Sequence, residues 1–240
     1  MALRSRSLFA LAAVALASLA GASGAFACGT GGYTYAGVAA PTRAYGVSAV
    51  ITPLSGFNVL SGHVAGWVGV GGPGQGAGGR DEWLQVGFSG FPGPSGSSIY
   101  YELMRPGSPP SYHQVATGIP FGKAAHVAVL EMHKHADYWR VWVNDSPVSK
   151  PIHLPSSHGR WAPIVTAESW DGGTGGGCNG FLYRFHQVSI ARAPGGGWQT
   201  LAGGSTITSA STRVARNTGK GSFIAAEGDV ALRTLASVSP

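Results

Sequence analysis

The sequence predicts an all-β protein, an antiparallel sandwich, on three observations. Gly (39) and Pro (15) make up more than a fifth of the 240 residues, a density of chain breakers that excludes a helical bundle. Hydrophobic residues are 44% and aromatics 10% of the chain, too apolar for disorder and enough to bury one core. Short alternating runs recur between turn-forming clusters, with no helical period between them.

Residues 1–27 read as a secretory signal peptide. Arg4 and Arg6 precede an apolar run from Leu8 to Leu19, and Ala25-Phe26-Ala27 gives the small-x-small pattern of a cleavage site. Cys28 follows directly, so a lipoprotein is the alternative, against which stand Phe26 and the lack of a Leu three positions before the cysteine. No later run approaches the ~20 apolar residues of a membrane span. Residues 28–193 read as the sandwich domain. Its predicted strands are 45–51, 63–70, 82–88, 98–104, 126–132, 138–144, 164–170 and 181–190. Alternation is clearest in His126-Val-Ala-Val-Leu-Glu-Met and Tyr138-Trp-Arg-Val-Trp-Val-Asn. Val143-Asn144-Asp145-Ser146 has the chemistry of a hairpin turn. Pro194-Gly-Gly-Gly-Trp198 reads as a linker. Residues 194–240 are a Gly/Ser/Thr-rich extension, either further strands or a tail.

Charge and cysteine content narrow the partners. Without Arg4 and Arg6 the formal charge falls from +6 to +4, and the remaining Lys and Arg are scattered. No basic run interleaved with aromatics marks a nucleic-acid partner. The expected protein is a monomer with no integral membrane segment. Cys28 and Cys178 are the only cysteines, and in an oxidising compartment they suit one disulfide. His133-Lys134-His135 is the one tight histidine pair. It lacks an obvious third ligand and reads as a solvated turn, so no metal site is expected.

Familiar catalytic motifs are missing: no GxSxG, HExxH, GxxxxGK[ST], Asp-Thr-Gly or Asp-Ser-Gly occurs. With ten acids in the chain, each can be weighed. Glu82, Glu102, Glu131 and Glu168 fall in strand-like, aromatic-rich segments. There a carboxylate either faces water at a sheet edge or sits in a partly dry cleft, where burial suits it to acid–base work.

The succession Ala65-Gly66-Trp67-Val68-Gly69-Val70, Trp83-Leu84-Gln85-Val86-Gly87-Phe88, Tyr100-Tyr101-Glu102 and Thr166-Ala167-Glu168-Ser169-Trp170 resembles the glutamic peptidases, the eqolisins. The likeness spans residues 45–170. It implies a concanavalin A-like sandwich of jelly-roll type with a cleft on the concave face, and a polypeptide substrate. It also implies a catalytic pair, Gln85 and Glu168, that works without metal or cofactor. Glu168 would activate a water and later protonate the leaving amine, while the Gln85 amide would stabilise the oxyanion. Trp67, Tyr101, Glu102 and Trp170 are the expected substrate-binding residues. The expected activity is that of a secreted, acid-acting endopeptidase.

The sequence departs from the family where Gly71, and Phe88-Ser89 shortly after the Gln, stand in place of Asp. Leu103-Met104-Arg105-Pro106 replaces Trp-Tyr-Pro, and Ser169 separates Glu168 from Trp170. A weaker similarity, carried by Gly177-Cys178-Asn179, is to the neprosin-like proteins, which use two Glu; Glu102 would then be the second. The alternative to a peptidase is a non-catalytic sandwich that binds cell-wall glycan or a surface protein. Glycoside hydrolysis ranks lower, because no Glu-x-Asp-x-x-Glu strand occurs.

Overall fold

The computed structural model describes residues 32–93, 96–174, 179–216 and 221–228. The predicted signal peptide and both members of the predicted Cys28–Cys178 disulfide lie outside them.

Two antiparallel sheets pack face to face. Sheet A runs in the order β14 (Ser205–Thr208), β1 (Tyr33–Ala39), β11 (Ile164–Trp170), β3 (His63–Gly72), β4 (Glu82–Gly90), β5 (Ser97–Met104) and β6 (Ser111–Ile119). Sheet B runs β10 (Ile152–His153), β8 (Tyr138–Val143), β7 (Ala125–Glu131), β2 (Gly46–Pro53), β12 (Phe181–Ala193), β16 (Phe223–Glu227) and β15 (Thr212–Arg216). Two short strands, β9 (Ser146–Pro147) and β13 (Gly196–Thr200), pair with β8 and β12. Among the described residues no helix is long and apolar enough to cross a membrane.

Period-two alternation decides what each face of sheet A holds. Val64, Val68 and Val70 of β3 and Leu84, Val86 and Phe88 of β4 point inward. There they join Val47, Ala49 and Ile51 of β2 and Val127 and Val129 of β7 in one buried core. Each such side chain contributes about 1.5–3 kcal/mol of burial. The opposite face of the same strands carries Ala65, Trp67 and Tyr100, a separate apolar cluster. Gly66 brings the sheets together: a Cβ there would meet the Tyr183 ring of β12 at 2.7 Å.

The eight predicted strands are present, with ends displaced by up to three residues. The structure adds further elements, among them the short β9 and β10 beside β8. β1 pairs with β11, β6 extends sheet A beyond β5, and β13 replaces the expected linker after Pro194. The extension supplies strands to both sheets: β14 borders β1, and β16 is buried along its length beside β12. Residues 133–135 form a turn with Lys134 at φ 60.

Candidate active site

Antiparallel register sets the outward side chains of sheet A in rows that cross the strands. One row holds Glu102, Gln85, Gly69 and Ile164. The next holds Tyr100, Gly87, Trp67 and Thr166, and a third Ser89, Ala65, Glu168 and Tyr35. At the end of the sheet lie His63, Trp170 and Tyr33. These rows floor a cleft of about 660 Å³ bounded at one end by Gly71, Gly72 and Pro73.

Four of the predicted site residues meet in this cleft: Trp67, Gln85, Glu102 and Glu168 all line it. Gln85 is 7% exposed, and its Nε2 donates to the Tyr100 hydroxyl at 3.1 Å. Tyr100 stacks on Tyr112 at 5.0 Å, and the Tyr112 hydroxyl lies 2.9 Å from Ser89 Oγ. Glu168 is 5% exposed, with Oε1 3.6 Å from His63 Nε2. Gln85 and Glu168 share the space without touching; among the described residues no hydrogen bond joins them. The Trp67 indole N–H is buried without a partner, a donor left for whatever enters.

Burial raises the Glu102 carboxyl above the usual carboxylate range, and the charge of Glu168 adds to this. The Trp83 indole, donating at 3.0 Å to Glu102 Oε1, and His63 oppose the shift. Burial, followed by the charges of Glu168 and Glu102, pushes Tyr33 up to about 12. Tyr35 and Tyr100 rise further, again through burial first and Glu168 second. The cleft thus holds neutral phenols around two carboxylates.

Trp170 does not line the cleft; it packs behind two residues that do, stacked on Tyr33 at 6.1 Å and tilted against His63 at 5.7 Å. Tyr101 does not reach it. Its neighbour Tyr100 takes the cleft-facing position, while the Tyr101 ring packs on the core side and stacks on His113 at 4.4 Å. The cause is strand parity: residues 100 and 102 share one face, and 101 has the other. Sequence reasoning missed Tyr33, Tyr35, His63, Trp83 and Tyr100. The signal for His63 was its spacing of four from Trp67 on one strand, which fixes the same face.

Two departures from the glutamic-peptidase pattern have local causes. Gly71 sits at φ 80, and a Cβ there would approach the Glu82 carbonyl at 2.3 Å, so the site has no room for Asp. Ser89 does not leave a gap, because it engages Tyr112.

Comparison with solved structures places this geometry. Scytalido-glutamic peptidase bound to a peptide-based transition-state analogue superposes with a TM-score of 0.55 at 17% identity, covering 81% of this chain and 98% of that one. SCP-B, an eqolisin in complex with the tripeptide Ala-Ile-His, gives 0.51 at 17% identity, with 82% and 98% covered. The fold is that of the glutamic peptidases. No family model and no curated protein matches the sequence. Within the glutamic-peptidase fold, sheet A presents the cleft and β14, β1, β11, β3, β4 and β5 line it.

Proposed function

We propose that the protein is an endopeptidase of the glutamic type, acting on polypeptides in acid with Gln85 and Glu168 as its pair. The observation that carries this reading is the opening of both side chains onto one cleft of about 660 Å³, floored by Trp67 and Gly69. Glu168 takes a proton from water, whose oxygen attacks the scissile carbonyl. The Gln85 amide donates to the developing oxyanion, an interaction whose removal costs about 3–4 kcal/mol in such sites. Glu168 then returns the proton to the leaving amine. The hydrogen bond to Tyr100 occupies one Gln85 N–H and leaves the other for the oxyanion. The N-terminal pattern of residues 1–27 supports secretion.

The test is cleavage of denatured casein from about pH 2 to about pH 7, with pepstatin present, by the chain from Cys28 to Pro240. Pepstatin-resistant cleavage in acid, lost in both Glu168→Gln and Gln85→Ala, is the expected result. Absence of cleavage by folded protein at every pH overturns the reading and leaves a binding sandwich.

A further inference from the structure

We propose that His63 is a positioning residue for Glu168: paired with the carboxylate through its ring Nε2–H, it holds the group oriented toward the cleft. The proposal rests on the peptidase reading of Glu168 and adds to it what orients its carboxylate.

Glu168 Oε1 lies 3.6 Å from His63 Nε2, within ion-pair range, and no other cation is paired with Glu168 among the described residues. The two residues occupy adjacent rows: His63 is the register partner of Trp170, and Glu168 that of Ala65. Both side chains are largely buried, His63 at 21% and Glu168 at 7% side-chain exposure, so solvent screens the pair less than it would on the surface.

The histidine is held from three sides. Trp170 stands 5.7 Å away, Tyr33 5.9 Å and Phe91 6.0 Å, measured between ring centroids. Its backbone is fixed as well. The Asn179 amide donates to the carbonyls of Ser61 at 2.8 Å, Trp170 at 2.9 Å and His63 at 3.5 Å, which ties the start of β3 to the end of β11. Gly62, at φ 71, completes the tie, since a Cβ there would meet the Trp170 carbonyl at 2.1 Å. A side chain anchored this firmly keeps a defined distance from its partner.

The surrounding groups supply the reason for a cation. From β1, Tyr33 and Tyr35 face the pair as neutral phenols. From β5, Glu102 faces it as a second carboxyl, disfavoured in its charged form by Glu168 and favoured by His63. Tyr100 adds another phenol raised by burial. Asp171, one residue beyond Trp170, accepts the N–H of Gly173 at 2.9 Å in its own loop. Two carboxyls in one partly dry cleft oppose each other's ionisation, and a cation beside one of them favours the charged form that a general base requires. Histidine is the side chain whose charge ordinarily changes between about pH 5 and 8.

Two measurements on the chain from Cys28 to Pro240 decide the matter. NMR titration of the His63 imidazole, in wild type and in Glu168→Gln, reads the pair without reference to activity. The expected result is a lower midpoint in the variant. The pH dependence of kcat/KM on a peptide substrate is compared between wild type and His63→Gln. The wild-type advantage should be about tenfold near about pH 4 and vanish by about pH 8. An unmoved midpoint alongside cleavage overturns the role of His63 and leaves the peptidase reading standing. A moved midpoint in a protein that cleaves nothing overturns the peptidase reading, and with it the catalytic role of the pair. An advantage that is constant with pH reduces His63 to packing.

Discussion

Gln85 of β4 donates its side-chain amide to the hydroxyl of Tyr100 on β5, 3.1 Å away, and Tyr100 is itself stacked on Tyr112. The bond fixes which way the amide faces. Tyr100→Phe keeps the ring and its stacking but frees the amide, so the fold should persist while orientation is lost. The loss of one neutral hydrogen bond predicts a fall in kcat of about three- to tenfold with KM little changed. Unchanged kcat in a folded variant would show that Tyr100 does not orient Gln85.

Gly69 lies in the same row as Gln85, opposite both Gln85 and Ile164. A Cβ at this position would stand 3.0 Å from Gln85 Cβ and 3.0 Å from the Trp67 ring. Gly69→Ala should therefore displace Gln85 or Trp67 by a few tenths of an ångström, within the misplacement that costs up to about 100-fold in rate. The expected outcome is a clear loss of kcat/KM while the thermal midpoint stays nearly unchanged. Equal losses of activity and stability would point to general damage instead.

Trp170 and Tyr101 offer a contrast. Trp170 supports the cleft residue Tyr33, and Tyr101 backs onto the core. Trp170→Ala should raise KM for peptides by about five- to tenfold through lost stacking area, with kcat within about threefold. Tyr101→Ala should leave KM alone and cost about 1–3 kcal/mol of stability, read by urea denaturation. The reverse pattern would put the binding surface on the wrong face.

Much of sheet A was legible because its central strands alternate strongly. β3, β4 and β11 were bounded closely, and the glutamic-peptidase resemblance carried by their motifs brought Trp67, Gln85 and Glu168 into one reading. Tyr100 was recoverable by the same rule, since naming Glu102 for the cleft already excludes Tyr101 from it. β1 escaped notice because Tyr-Thr-Tyr-Ala-Gly-Val-Ala buries small residues against β11 and has little apolar mass to signal a strand. β6 escaped because it is an edge strand, mostly exposed and interrupted by two register shifts. His63 was one of eight scattered histidines, and only the pairing of β3 with β11 brings it to Glu168. Burial of Glu82 was hidden for a similar reason, because its cover comes from a glycine loop rather than from its own strand.

Glu82 predicts how stability depends on pH. It opens β4 fully buried, and neither carboxylate oxygen has a hydrogen-bond partner. Gly76 lies over it so closely that a Cβ there would stand 2.6 Å from Glu82 Cβ. Burial, then the charge of Asp137, raises its pKa from 4.5 to about 7, against the partial pull of the nearby Ala77 backbone N–H, Arg105 and Arg80. A raised acid is protonated in the fold and ionised in the unfolded chain. Its contribution to stability is thus fully present below about 4.5 and is lost as the pH rises through about 7. Glu102 and Glu227, both raised chiefly by burial, act in the same direction. Asp137 acts oppositely. Burial would raise it, but N–H donors from His158 and Ser157 pull it below 3.8, so its contribution is lost as pH falls through that lowered value. The net expectation is a fold most stable in mild acid, with urea midpoints that decline from about pH 5 to about pH 8. Glu82→Gln, a neutral isostere, should match wild type near about pH 4 and exceed it by about 1–3 kcal/mol near about pH 8. A wild-type midpoint that climbs over this range, or a variant advantage that does not change with pH, would show that Glu82 is not the group responsible. The consequence reaches the cleft, since Gly71, Gly72 and Pro73 of the same loop form its end wall. Glu82→Gln should therefore also hold activity to a higher pH than wild type, and an unchanged pH profile would show that Glu82 acts on stability alone.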